Sequence, residues 1–326
     1  MTARQPALVV LAGGHESDGG RHLADLVDPV GRSGHGFTVH ATAAPGRPLA
    51  EAVRSALAAG DAPVCVVPMT HGRDPRLVAD TARALRWLAA GEGRGRLALT
   101  APFGAAEHLI GWLRAAAATA GDGDAVLVTA PAAGPFEDAE LFRIARLVRQ
   151  YGRHHRVEVA FTGGDPDPAE GVERCRLLGA ERVTAVPASF GPALPAALLD
   201  GPADRGPTAH VRAGGPLLRP SAIAGVVAAR TAAALHLLGH GEDGILAGLD
   251  AEHGHGYAHS HGPGDQSHGH THGAPHAHGP GDQPHSHGPG DQPHSHTHGH
   301  PHGHTPSHSH AHTPTEPAER KASHVR

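Results

Sequence analysis

Lysine is almost absent from this chain. Of its 27 basic residues only Lys321 is lysine, the rest being arginine, and the formal net charge is −5. Aromatic residues make up 3% of the chain, and no basic block has aromatics interleaved. A nucleic-acid partner is therefore not expected. The arginine bias, with abundant Ala and Gly, fits a GC-rich coding sequence. Cysteine is scarce too: Cys65 lies in an apolar strand-like run and Cys175 in a helix-like run. Each is expected to be a buried small hydrophobe in a reducing compartment, not half of a disulfide. The apolar run "PALVVLAGG" near the start is too short for a signal peptide, and no 18-residue apolar stretch is expected anywhere. These absences predict a cytoplasmic protein with no membrane partner.

Histidine is what the chain has in excess. Of 32 histidines, 21 lie beyond Asp250. The segment 251–326 is built of His, Gly, Pro, Ser and Thr, with almost no Leu, Ile, Val or Phe. It buries too little apolar surface to offset its ordering entropy and is expected to be disordered. The unit HGPGDQ[SP]H[GS]H occurs at 261, 278 and 287. Between and after the units histidines alternate with small residues, as at His268, His270 and His272, or His285 and His287. The alternation resumes over His294, His296, His298, His300, His302 and His304. Such tracts gather late first-row divalent ions without a selective geometry, with Ni²⁺, Cu²⁺, Zn²⁺ and Co²⁺ all fitting. The plain alternative is a solvated low-complexity tail with no role.

The first 250 residues alternate short apolar runs with longer helical patterns. Strands are predicted at 7–12, 36–41, 63–68, 96–100, 125–130, 156–161, 182–187 and 208–212. Helices are predicted at 18–32, 48–60, 75–91, 104–120, 136–151, 167–179 and 219–239. Unbroken Val/Leu runs separated by helices indicate parallel strands covered on both faces. The order also repeats: "PLAEAVRSALAAGDAPVCVVPM" (48–69) aligns with "DPAEGVERCRLLGAERVTAVPA" (167–188) at an offset of 119 residues. The same offset lays Leu8-Val9-Val10 on Leu127-Val128-Thr129. The expected fold class is α/β, with two small, tandem, doubly wound parallel-sheet domains at 1–121 and 122–250 ahead of the tail.

In open parallel sheets ligands bind beyond the carboxyl ends of the strands. With the first and third strands adjacent, the residues leaving them in domain 1 are "GGHES" (13–17) and "PMTHGRDP" (68–75). Each carries one histidine, so His15 and His71 are expected to face one cleft, with the carboxylates of Glu16 and Asp74 beside them. The repeat is an internal control. Adding 119 to 15 gives Gly134 and adding it to 71 gives Phe190, while Gly72 keeps a glycine partner in Gly191. The second domain then reads as scaffold or lid, and the chemistry belongs to the first. The plain alternatives are an acidic Glu16 favoured near a helix N-terminus and surface charges at Arg73 and Arg76.

These segments resemble the CbiX/SirB family of sirohydrochlorin chelatases. "GGHES" is close to the family's Gly-His-Gly-Ser, and "VPMTHGRDPRLVADTARAL" occupies the place of its Pro…Gly-Arg-His…Asp segment. "GPFEDAELFRIARLV" and "VEVAFTGGDPDPAEGVERCRLLGAERVTAVP" are similar to the opening and continuation of the second repeat. Two departures stand out: Glu16 replaces a motif glycine, and Asp74 follows "GR" where the family has histidine. The resemblance implies insertion of a divalent metal, with Co²⁺ expected and Fe²⁺ or Ni²⁺ alternatives, into sirohydrochlorin without ATP or another nucleotide. It implies a monomer of two pseudo-symmetric domains and His15 as metal ligand and base; the strand-end placement, not the resemblance, adds His71, just upstream of Asp74, as second ligand. Glu16 is expected to assist, and Ser17, Arg73 and Arg76 to meet the tetrapyrrole carboxylates. Neutral imidazole suits such a metal and accepts a proton near neutral pH. Three readings follow: a cobaltochelatase of cobalamin synthesis supplied by its tail, a non-catalytic cobalt or nickel store, and an iron chelatase for siroheme.

Overall fold

A computed structural model describes residues 6–24, 36–199 and 210–252. The expected tail and its histidines begin essentially where these residues end and lie outside them. The first half runs β1 (Ala7–Gly13), a 3₁₀ turn (His15–Ser17), helical residues 21–24 (α1), β2 (Phe37–Ala43) and α2 (Arg47–Ala58). It continues with β3 (Val64–Met69), α3 (Pro75–Ala90), β4 (Leu97–Leu99) and α4 (Ala106–Ala117). The second half repeats this with β5 (Ala125–Pro131), α5 (Pro135–Tyr151), β6 (Val157–Thr162), α6 (Pro168–Leu177), β7 (Arg182–Pro187), a short α7 (Ala196–Leu199) and β8 (His210–Ala213). It closes with α8 (Pro220–Gly239), α9 (Ile245–Leu249) and a last 3₁₀ turn (Asp250–Glu252).

The strands form two four-stranded parallel sheets, in the orders β2-β1-β3-β4 and β6-β5-β7-β8. The first and third strands of each half are neighbours, as expected. Their runs are apolar throughout because both faces are covered, and alternation then decides which face each residue serves. In the first sheet Val10, Ala12, Val64 and Val66 pack with Leu49 and Val53 of α2 and Leu77 and Leu85 of α3. Val9, Leu11, Cys65 and Val67 face the other way, into Ile223, Ala224 and Val227 of α8. Both cysteines are buried and free, and burial pushes the Cys65 thiol up to about 12.

The division near residue 121 separates the two sheets, but the packing of helices does not follow it. Helix α4, from the first half, puts Leu109 and Leu113 into the core of the second sheet beside Ile144 of α5 and Val128 of β5. Helix α8, from the second half, crosses back onto the first sheet. Each half thus supplies the other with a helix that closes its core.

The crossing also corrects the expectation about long apolar stretches. An 18-residue window of α8 has a mean hydropathy of 1.5, long and apolar enough to cross a membrane by composition. Here its buried residues, Ile223, Ala224, Val227, Thr231 and Ala234, lie along one face against the first sheet. Only 28% of that window is buried, so one face packs on the sheet and the remainder, rich in Ala, stays outside it.

The crossing predicts where a cavity is felt. Leu113→Ala, at a side chain only 1% exposed, should cost about 2–5 kcal/mol in chemical denaturation. Native-state amide exchange should accelerate in β5 and β6 more than in β1 and β3, although Leu113 belongs to the first half by sequence.

Candidate functional site

The carboxyl ends of β1 and β3 carry the site. Gly13 and Gly14 end β1 and open the 3₁₀ turn. A Cβ on Gly14 would sit 2.2 Å from Asp74 Oδ2, so glycine is what lets the two strand ends approach. The turn is tied by N–H donation from Ser17 (3.1 Å) and Gly19 (2.9 Å) to the Gly14 carbonyl. The Ser17 hydroxyl donates to that same carbonyl at 3.1 Å. Ser17 is fully buried. It is a structural tie of the turn, not the exposed tetrapyrrole contact expected of it.

After β3 the chain bends at residues 70–74. Thr70 Oγ1 accepts from the N–H groups of Gly72 (3.0 Å) and Asp74 (3.1 Å). Gly72 sits at φ 98°, and a Cβ there would come within 2.5 Å of the Ala105 backbone. Asp74 then caps α3: Oδ1 accepts the Leu77 N–H at 2.8 Å, with Pro75 opening the helix. Its other oxygen, Oδ2, lies 2.9 Å from His15 Nδ1. One carboxylate thus starts a helix and orients an imidazole.

The His15 side chain is a quarter exposed, and its Nε2 is buried with no hydrogen-bond partner among the described residues. Burial alone would lower its pKa. The hydrogen bond and charge of Asp74, joined by the charge of Glu16, outweigh that and raise it. A carboxylate on Nδ1 holds the tautomer that presents Nε2 as a ligand or base. The sequence put Asp74 in the neighbourhood and offered Glu16 as auxiliary. The geometry exchanges them: Asp74 holds His15. The signal for this was the Asp-Pro helix start, which fixes where Asp74 must stand.

Glu16 points inward and is wholly buried. Its Oε2 accepts the backbone N–H of His71 at 2.5 Å and lies 3.3 Å from His71 Nδ1. The latter is a close contact without hydrogen-bond alignment, which leaves Nδ1 without a partner among the described residues. Burial works against ionisation, but the His71 contacts and the charge of Arg73 hold the carboxyl down at about 2. So low a value makes Glu16 a poor proton acceptor. The other sequence expectation, an acid near a helix N-terminus, holds for its position in the first turn of the 3₁₀ element, but the side chain is turned inside.

His71 is 1% exposed. Its ring stacks on Phe190 at 4.1 Å and meets the rings of Phe103 (5.8 Å) and Trp112 (5.7 Å) edge-on. His15 and His71 therefore leave adjacent strands but do not share an open cleft. His71 is enclosed by aromatic rings in the seam between the halves. Phe190 is its counterpart at the repeat offset, and the Phe190 N–H donates to the Glu16 carbonyl at 2.9 Å. Sequence showed that equivalence but not the contact.

Arg73 is also buried, at 1% exposure. Its Nη2 lies 3.3 Å from Asp138 Oδ1, and its Nε donates to the Glu137 carbonyl at 3.3 Å. Asp138 also accepts the Ala133 N–H at 3.1 Å. Arg73 is thus not a surface charge; it locks the first half onto the start of α5, with its Nη1 buried and without a partner among the described residues. Asp138, its partner, was not singled out by sequence. Arg76 remains exposed, its Nε 3.8 Å from Glu252 Oε1. Among the described residues no three His, Cys, Asp or Glu side chains converge in a metal-holding group.

No family model matches the chain, and no curated protein does. Among solved structures it is similar to that of SirB from Bacillus subtilis with Fe³⁺, at 14% identity over 73% of this chain and 98% of that one, with a TM-score of 0.45. The similarity is too distant to bear on function.

The His15–Asp74 pair carries a pH signature. Folding raises the proton affinity of His15, so the pair stabilises the fold below the ordinary imidazole value of 6.5. That contribution is lost as pH rises through the raised folded-state value. In Asp74→Asn the cap survives, because Asn also caps helices, but the charge is gone. NMR titration should place the His15 pKa of the wild type above 6.5 and lower that of the variant. The stability difference between the two should be larger at acidic than at alkaline pH.

Proposed function

We propose that the protein inserts a divalent metal ion into a tetrapyrrole of the sirohydrochlorin kind without ATP, with cobalt as the expected ion in a cytoplasmic setting. The observation that carries this reading is the His15–Asp74 pair, an imidazole oriented by a carboxylate at the end of a parallel strand. Its sequence context, "GGHES" followed by "VPMTHGRDP" and the second-half repeat, supports the assignment to this chemistry.

Insertion removes water from the ion, brings the ion to the pyrrole nitrogens and takes away two N–H protons. His15 Nε2 would serve as ligand during delivery and as base once the ion has moved on. Glu16 is held too acidic for the second proton, so His15 would take one proton and the other would pass to water. His71 and Glu16 would act as supports that set the position of the His15 turn. Arg76, exposed on the first turn of α3, would meet substrate carboxylates. Iron in place of cobalt would use the same residues.

A second reading is a cobalt or nickel store built on this fold, with the tail doing the binding. It is favoured by the enclosure of His71, which leaves His15 without an open second imidazole.

Absorbance of sirohydrochlorin with added Co²⁺, Fe²⁺ or Ni²⁺ separates the readings. The wild type should show a metal-dependent spectral change, and His15→Ala should abolish it. His71→Ala should lower stability along with rate. Removing 253–326 should raise the metal concentration needed while leaving turnover at saturating metal intact. No turnover by the full chain with any of the three ions, together with tight ion binding, would establish the store instead.

A further inference from the structure

Helix α8 carries two histidines that the chemistry above leaves unused. His236 lies in its last turn and His240, four residues on, is the residue that caps its end, and both are exposed. Their ring centroids lie 4.9 Å apart with planes inclined by 58°. Neither ring makes a hydrogen bond or ion pair to another described residue.

Side chains at i and i+4 project from the same face of a helix. Two imidazoles so spaced are the bidentate element in helical zinc sites, where both nitrogens bind one ion. The helix itself pre-organises the pair, so little further ordering entropy is lost on chelation. The pair also sits at the carboxyl end of a 20-residue helix, where the dipole favours a cation. The last turn is anchored: His240 N–H donates to the Leu237 carbonyl at 2.8 Å, and Glu242 N–H to the same carbonyl at 3.0 Å. Beneath it Ala234 is buried in the first-sheet core.

We propose that His236 and His240 form a surface chelate for a late first-row divalent ion such as Ni²⁺, Zn²⁺ or Co²⁺, with water completing the coordination. Two neutral nitrogen donors suit these ions and not Mg²⁺ or Ca²⁺, which take oxygen ligands. The site is separate from His15 and does not depend on the reaction assigned to it.

The tail would bind the same ions, so the test must resolve individual histidines in the full chain. Acylation by diethyl pyrocarbonate, mapped by peptide mass spectrometry, does this with Ni²⁺ in excess over all 32 histidines. His236 and His240 should lose reactivity together and regain it with EDTA. His155, exposed and without an i+4 histidine partner, should react equally with and without the ion. In H236Q, His240 should stay reactive at the same Ni²⁺ concentration, and in H240Q so should His236. Persistent reactivity of both wild-type rings in Ni²⁺ would overturn the proposal. So would protection of His240 that survives in H236Q, since one imidazole or a covering segment would then suffice.

Discussion

Everything at the site depends on keeping the Glu16 carboxylate ionised inside the protein. An unpaired buried charge costs several kcal/mol. Glu16 offsets part of that cost through the His71 backbone N–H on Oε2 and the charge of the nearby Arg73 guanidinium, while its Oε1 has no hydrogen-bond partner among the described residues. Arg73 is in turn held by Asp138 of the second half. The requirement fixes three things together. The turn that carries His15 cannot swing away from β3, the chain after β3 cannot leave the turn, and the halves cannot separate without stranding charges. The aromatic stack of His71 on Phe190 excludes water from this join, which strengthens the ionic contacts within it.

The exchange of helices works to the same end. Because α4 closes the second sheet and α8 the first, neither half retains a complete core alone. The strand ends that carry Gly14, His15 and Asp74 are therefore set by the packing of the whole 6–252 unit and not of one domain. The second half, with Gly134 and Phe190 at the positions that match His15 and His71, is therefore needed to hold the site. The second half supplies the start of α5, which takes Arg73, and the loop of Phe190, which covers His71.

Much of this was legible in the residues. Continuous Val/Leu runs specify parallel strands buried on both faces, and the 119-residue repeat specifies two similar sheets. Both are local or periodic signals and need no knowledge of what packs on what. His15 was legible because a strand end in a parallel sheet is a defined place. The roles of its neighbours were not. Glu16 and Asp74 are each one residue from a histidine or an arginine, and sequence spacing does not say which carboxylate turns inward. Arg73 and Arg76 looked alike three residues apart, yet one is buried across the seam and the other stands in solvent. The apolar run of α8 escaped notice because its Ala-rich exposed face dilutes the pattern.

By itself the sequence determined the two α/β halves and the place of His15 after a strand, because pleat and helix periodicities act over a few residues. Only the tertiary structure decided that Asp74 orients His15, that Glu16, His71 and Arg73 form the buried join, and that the halves trade helices. These depend on contacts between residues far apart in the chain, such as Glu16 with His71 and Arg73 with Asp138, and burial between two halves is what selects among chemically similar side chains.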